Sequence, residues 1–415
     1  MNKIYKYSQF NIEVAKENNR IYVFNTYSTK GQWLDLEEQK LIIEQSRIDP
    51  LDIRLDIISD GLVVPVELDE LQKVKDHYMK ASKRDDVLMF TIIPSMVCNY
   101  RCKYCFEGDR THNKQVMSEE TIEATAKFIA DRYNELPNVK SVIIKWFGGE
   151  PLLRLDIIEQ IYNKLDRYNV PTEYWIFTNG KLLTQENVAL LCKYNQSKYD
   201  ITATIDGLSE TNARIKGCSV DDLIIVLNNI KKAQEKLNIT LKINVCNSNK
   251  HELTAIMDLL DSMDISIMVR LERIYGFSDS IEYNEIYRLI HDTEKYVKDK
   301  GYKITIVHHS DMKICEGNSV NHYTIAPDGA LYKCENTANI KEYQCGSVFT
   351  GYEETKISHY FTDFNLEKKC IKCKYLPLCY GNCRYSRLTK SDRFVCEKFI
   401  ERKERQLKAL ANRKQ

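Results

Sequence analysis

Hydrophobic and polar positions change rhythm along the chain. Over residues 1–80 the runs NIEVAKE, RIYVFNTYS and QWLDL alternate as short strands do. LEEQKLIIEQS, PLDIRLDIISDG and ELDELQKVKDHYMKAS then carry apolar residues at helical spacing. Three strands followed by three helices make a small module, and the charged stretch KASKRDD, residues 80–86, marks a junction. From residue 88 strands and helices take turns. LMFTIIP (88–94), SVIIKWF (141–147), EYWIFTN (173–179), YDITATID (199–206), ITLKINV (239–245) and ISIMVRL (265–271) read as strands, with amphipathic segments such as EETIEATAKFIADRY between them. Parallel neighbours require a crossover, so six such units predict a parallel sheet. A full eight-fold barrel is too long for this span. The expected class is therefore α/β, a partial (βα)6 TIM-like barrel over residues 88–302, preceded by an α+β module at 1–87 and followed by a Cys-rich domain at 303–415.

Composition narrows the function classes. The 415 residues hold 60 Lys and Arg against 59 Asp and Glu, a net +1, so no global field would hold nucleic acid or an anionic membrane. No apolar stretch approaches the roughly 18 residues of a spanning helix, and MNKIYKYSQFNIEVAKENN lacks the apolar core of a signal peptide. A cytoplasmic, soluble enzyme is expected, with neither nucleic acid nor membrane as partner. Fourteen cysteines are too many for an ordinary reduced core, and in a reducing compartment they favour metal or cluster ligation over disulfides. Three lie within 98–105 and eight within 315–396. Cys192 and Cys246 sit on apolar faces as core thiols, and Cys218 has no nameable partner.

Cys98, Cys102 and Cys105 form C-x3-C-x2-C just after the first barrel strand, where such folds place chemistry. Three thiolates leave a [4Fe-4S] cluster one iron short of its usual ligand count, and the open iron can bind a small molecule. A zinc site is the alternative, with His112 as the nearby candidate for a fourth ligand. The cysteine spacing resembles that of the radical SAM superfamily, as does Trp146-Phe147-Gly148-Gly149-Glu150-Pro151 after the second strand. The resemblance implies that Gly148 and Gly149 admit the methionyl part of S-adenosylmethionine while Glu150 meets its amino group. Thr178 and Asn179 after the third strand, Thr204 and Asp206 after the fourth, Tyr104 in the cysteine loop and Asn244 on the fifth strand would also face that cofactor. Where the family often has Ser and a later Arg, this chain offers Thr204 and Lys216, with Arg214 two residues earlier. The catalytic set implied is Cys98, Cys102, Cys105 and Glu150. They would support reductive cleavage of the cofactor to a 5′-deoxyadenosyl radical, with flavodoxin or ferredoxin as reductant.

The tail reads Cys315, Gly329-x4-Cys334, Cys370-x2-Cys373-x5-Cys379-x3-Cys383, then Cys396. This spacing resembles the SPASM extension of peptide-modifying radical SAM enzymes, although paired structural zinc sites also suit C-x2-C spacing. The resemblance assigns Cys370, Cys373, Cys379 and Cys396 to one auxiliary [4Fe-4S] cluster and Cys315, Cys334 and Cys383 to another, three clusters in all. Related sulfatase maturases carry a further Cys where Asn321 stands here; Cys345 is the candidate replacement. The N-terminal module resembles the winged-helix element that captures a precursor's leader as an added strand, the alternative being a structural cap on the barrel. His308 and His309 read as surface or hinge residues. The implied activity is maturation of a ribosomally made peptide by a Cys thioether crosslink. Epimerisation, carbon-carbon crosslinking and formylglycine formation in a sulfatase are the alternatives within the class, and a non-catalytic iron-sulfur electron carrier is the alternative outside it.

Overall fold

A computed structural model of the chain describes residues 4–105, 114–193, 200–307, 314–338, 340–364 and 366–414. His112, His308 and His309 lie outside the described residues. Six parallel strands run side by side in chain order: Leu88–Ile92, Val142–Trp146, Thr172–Thr178, Asp200–Ile205, Asn238–Val245 and Met268–Arg273. Each alternates in the same sense. In the second strand Val142, Ile144 and Trp146 face the helices and are fully buried, while Ile143 and Lys145 point into the concave side. Helices Glu119–Asn134, Leu155–Arg167, Gln185–Lys193, Asp222–Ala233 and Leu253–Ser262 cover the convex face. In Leu155–Arg167 the buried residues Ile157, Ile158, Ile161 and Leu165 fall on one helical stripe. Ser118 begins Glu119–Asn134 by accepting the Thr121 N–H.

Three features depart from the sequence expectation. The sixth strand starts at Met268, later than expected, because its register against the fifth runs from Thr240 opposite Met268 to Val245 opposite Arg273. A helix at Ser209–Lys216, ended by Gly217 in the left-handed region (φ +58°), follows the fourth strand where no element is expected. The sheet also continues beyond the barrel: Thr305–Ile306 pairs parallel with the sixth strand, and His322–Ile325 pairs parallel with the first. Leu331–Tyr332 closes that edge antiparallel, making nine strands. The tail thus contributes strands to the same sheet as the barrel.

In the N-terminal module strands Asn11–Glu17, Arg20–Asn25 and Lys30–Leu34 form an antiparallel sheet, while Tyr5–Tyr7 pairs with Val63–Pro65. These last two strands are too short to signal in sequence. One face of the sheet packs on the module's own Ile42, Ile48, Ile57 and Leu62. The other face, with Ile12, Val14, Tyr22, Phe24 and Trp33, packs on Tyr375, Leu378, Phe399 and Leu407 of the tail. Helix Glu70–Ser82 sets Val74 and Tyr78 against Leu376 and Tyr380. The module therefore packs chiefly on the Cys-rich tail. The tail has regular structure of its own in helix Cys396–Arg413, whose apolar stripe supplies half of that contact.

Candidate active site

The carboxyl ends of the barrel strands surround a cavity of about 700 Å3. Cys98, Cys102 and Cys105 form one wall, and the GGE turn, Thr178, Asn179, Thr204, Asn244 and Tyr104 form others. The cysteine loop is pinned from two sides. On one side the Gly149 N–H donates to Ser95 O at 3.0 Å and the Glu150 N–H to Val97 O at 2.9 Å. A Cβ on Gly149 would stand 2.0 Å from Val97 O, and Gly148 lies at φ +105°, so both glycines are required by this backbone approach. On the other side the Arg101 and Lys103 N–H groups donate to Lys216 O and Ile215 O, both at 3.0 Å. The end of helix Ser209–Lys216 is therefore the dock for the cysteine loop.

Glu150 is buried beneath the cavity. One carboxylate oxygen accepts Thr178 Oγ1–H at 2.7 Å and the Leu152 N–H at 3.1 Å; the other accepts the Asn179 N–H at 2.8 Å. Burial raises its pKa, and these hydrogen bonds offset part of the rise. A carboxylate held in this way is suited to a cationic amino group, which would restore the opposite charge that burial removes. Asn179 in turn donates to Asn99 Oδ1 at 2.7 Å, tying the third strand end to the residue after Cys98.

Asp206 does not line the cavity. It is fully buried and accepts Tyr104 O–H, with Asn244 Nδ2 donating to its other oxygen and to Tyr104 Oη at 2.9 Å each. Burial first and then Asp206 push the Tyr104 phenol well up, so it stays a neutral donor. Asp206 thus acts as an anchor between Cys102 and Cys105, the physical reason being that a buried carboxylate needs donors and finds them in the loop. Lys216 is the residue that sequence reasoning left aside. Its buried ammonium donates to Thr204 O at 2.7 Å and Thr204 Oγ1 at 2.6 Å, and lies 5.6 Å from the Tyr100 ring. Burial pushes the Cys102 thiol up to about 12, and Lys216 is the cation that opposes this. The pairing of Thr204 with Lys216, noted above as a departure from Ser and Arg, is a direct contact.

The concave ends of strands five and six carry Lys242, Arg270 and Glu272, with Glu272 between the two cations at 2.7 and 3.1 Å. Beyond them the tail closes the cavity with Tyr275, Glu335, Asn336 and Arg393. Burial opposes ionisation of Glu335, yet Lys145 and Arg393 pull its carboxyl down to about 2.

A second cavity of about 250 Å3 lies behind that wall, lined by Cys315, Cys334, Cys379 and Cys383. Glu335, Asn336 and Arg393 line both cavities. Cys379 also interacts with Cys373, Cys370 and Cys396, and Cys396 with Cys373 and Cys370, so the structure brings this quartet together. Burial pushes the Cys379 thiol up to about 12, a shift that a bound metal would reverse. Cys345 stands apart. It is fully buried beside Lys333 and Thr355 and lines neither cavity. Asn321 instead donates to Arg84 O at 2.8 Å. Cys246 is a buried core thiol and Cys192 packs at the core's margin; the Cys218 thiol accepts Asn212 Nδ2–H at 3.8 Å. Among the described residues no three His, Cys, Asp or Glu side chains close around a single metal ion. A four-iron cluster takes each thiolate on a different iron, and the all-thiol donor sets at both cavities fit such a group.

Residues 92–260, which include the three-thiol loop and the GGE turn, match the radical SAM superfamily. That family uses a [4Fe-4S] cluster and S-adenosylmethionine. The chain is 22% identical over 429 residues to the radical SAM cyclopropyl synthase TigE of Paramaledivibacter caminithermalis, spanning 92% of this chain and 88% of that protein. It is 22% identical over 346 residues to a cysteine-type anaerobic sulfatase-maturating enzyme of Clostridium novyi, spanning 73% of this chain and 90% of that one. In fold it resembles Streptococcus suis SuiB bound to its precursor peptide SuiA, with a TM-score of 0.56 at 17% identity over 93% of this chain and 97% of SuiB. No described helix is long and apolar enough to cross a membrane.

Proposed function

We propose that this protein is a maturase of a ribosomally synthesised precursor peptide. In this reading the tail is a SPASM-type domain with two auxiliary [4Fe-4S] clusters, and residues 1–87 receive the leader. The observation that carries the reading is the shared wall, since Glu335, Asn336 and Arg393 face both the barrel cavity and the cavity of Cys315, Cys334 and Cys383. A carrier of electrons has no use for a cavity of about 700 Å3 between two thiol sets. Two relatives add support: TigE matches over 92% of this chain, and SuiB is known with a precursor peptide bound.

When bound at Cys98, Cys102 and Cys105, the cluster and S-adenosylmethionine would supply a 5′-deoxyadenosyl radical that takes a hydrogen atom from the peptide. The chain's own residues do the rest. Glu150 would hold the cofactor's amino group, and Phe147 and Phe177, packed edge to face at 5.6 Å, give the cavity an apolar wall that excludes water. Tyr104, Asp206 and Asn244 keep the cysteine loop in place.

The outcome proposed is a thioether between a Cys sulfur and a carbon of another residue. The position of Cys345, away from the cavity of Cys315, Cys334 and Cys383, supports it by leaving room for an outside thiolate there. The match to a cyclopropyl synthase favours carbon-carbon bond formation as the second reading. Anaerobic reaction of the reconstituted enzyme with S-adenosylmethionine, a reductant and a precursor peptide tests both. Loss of two hydrogens with no later uptake of iodoacetamide means a thioether; the same mass loss with full alkylation of the Cys means a carbon-carbon bond. An unchanged peptide, with no more 5′-deoxyadenosine than a Cys98→Ala control makes, would sink the maturase reading.

A further inference from the structure

The wall between the two cavities is a hydrogen-bonded chain. Tyr275, just beyond the sixth barrel strand, faces the barrel cavity. Its hydroxyl donates to Asn336 Oδ1 at 3.1 Å and accepts from Arg393 Nη1 at 2.8 Å, with the guanidinium 4.8 Å from the ring centre. Asn336 is 7% exposed, and its amide N–H donates to Cys334 Sγ at 3.7 Å. Tyr275 is thus two hydrogen bonds, and Arg393 three, away from a thiol of the auxiliary set, through residues drawn from the barrel and from two separate parts of the tail.

Resting on the auxiliary-cluster reading above, we propose that Asn336, Tyr275 and Arg393 are positioning residues that set the reduction potential of the cluster held by Cys315, Cys334 and Cys383. An N–H donor to a ligating sulfur withdraws electron density and favours the reduced, more negative cluster, and a nearby cation does the same. The Asn336 contact is strengthened by the low dielectric around that buried amide. Tyr275 fixes which end of the Asn336 amide faces the sulfur, because its O–H must meet the carbonyl end. A peptide that contacts Tyr275 or Arg393 therefore alters the donor strength at Cys334, and occupancy of the barrel cavity is communicated to the site that takes part in bond closure.

The test is a redox titration of the anaerobically reconstituted full-length enzyme, followed by electron paramagnetic resonance at one pH. Asn336→Leu and Arg393→Gln are expected to shift the oxidised-to-reduced ratio of this cluster toward oxidised by about tenfold at fixed ambient potential, 59 mV for a one-electron couple. Tyr275→Phe, which keeps the ring, should move it the same way by about threefold, and carries the test should Asn336→Leu lose iron. The clusters at Cys98, Cys102 and Cys105 and at the Cys370 quartet serve as internal controls and should not move. Ratios within about twofold of wild type in the variants, with about twelve irons per chain retained, overturn the inference. A wild-type enzyme that holds only about four irons overturns the auxiliary-cluster reading itself.

Discussion

Replacing Lys216 with Met removes the ammonium while keeping an unbranched side chain of similar length. The structure sets the size of the effect. Two hydrogen bonds from a charged donor, to Thr204 O and Oγ1, are each worth roughly 1.5–3 kcal/mol, and the contact over Tyr100 adds about 0.5 kcal/mol or more. Thr204 lines the cavity, so water replaces part of what is lost. A net loss of about 2–3 kcal/mol is expected, and it falls on the contact between the helix end and the cysteine loop. Hydrogen exchange of the Arg101 and Lys103 amides, which donate to Lys216 O and Ile215 O, reads this directly. In the cluster-free protein these amides should exchange about 30- to 150-fold faster in Lys216→Met, since each 1.4 kcal/mol is tenfold. Thr204→Val, which keeps the backbone acceptor, should cost about 1 kcal/mol and give about fivefold. Wild-type protection in Lys216→Met would refute the docking argument. A loss spread evenly over the barrel would show that Lys216 supports the core and not the loop.

His322 is buried with only Thr91 Oγ1 near its Nε2, at 3.1 Å, and burial and then Lys145 lower its pKa from 6.5 to about 3. The folded state prefers neutral imidazole, so this contribution is complete above pH 6.5 and is lost as pH falls toward 3. Between pH 6.5 and 5 the wild type should lose about 2 kcal/mol that His322→Gln does not, as measured by denaturant titration at both values; parallel losses would refute the assignment. Glu150→Gln should weaken S-adenosylmethionine binding at least about tenfold in equilibrium dialysis, and an unchanged affinity would remove Glu150 from the cofactor site. Deleting the N-terminal module is a poor test of leader capture, because it would uncover Tyr375, Leu378, Phe399 and Leu407 of the tail, a loss on the order of 10 kcal/mol. Precursor binding should instead slow amide exchange along the edge strand Lys30–Leu34, and protection confined to the barrel would mean that the module is only a cap.

Local pattern alone specifies much of this protein. Period-two alternation in strands such as VIIKW and a helical apolar stripe in LDIIEQIYNKLDR are written into consecutive residues, so the six barrel strands and their helices are legible without coordinates. The three-thiol loop and the GGE turn are equally local, since cluster ligation and close backbone approach demand Cys and Gly at short fixed spacings. What consecutive residues do not encode is which distant groups meet. Tyr5–Tyr7 is a strand only because Val63–Pro65 lies beside it. Asp206 anchors Tyr104 from 102 residues away, and Cys345 differs from Cys334 only in the side of the tail on which it is buried. The sharpest case is the wall of Tyr275, Asn336 and Arg393. Each is an ordinary polar residue in its own segment, and the three meet because burial obliges the Asn336 amide to find partners, which the tertiary fold supplies by setting Tyr275, itself bonded by Arg393, beside it.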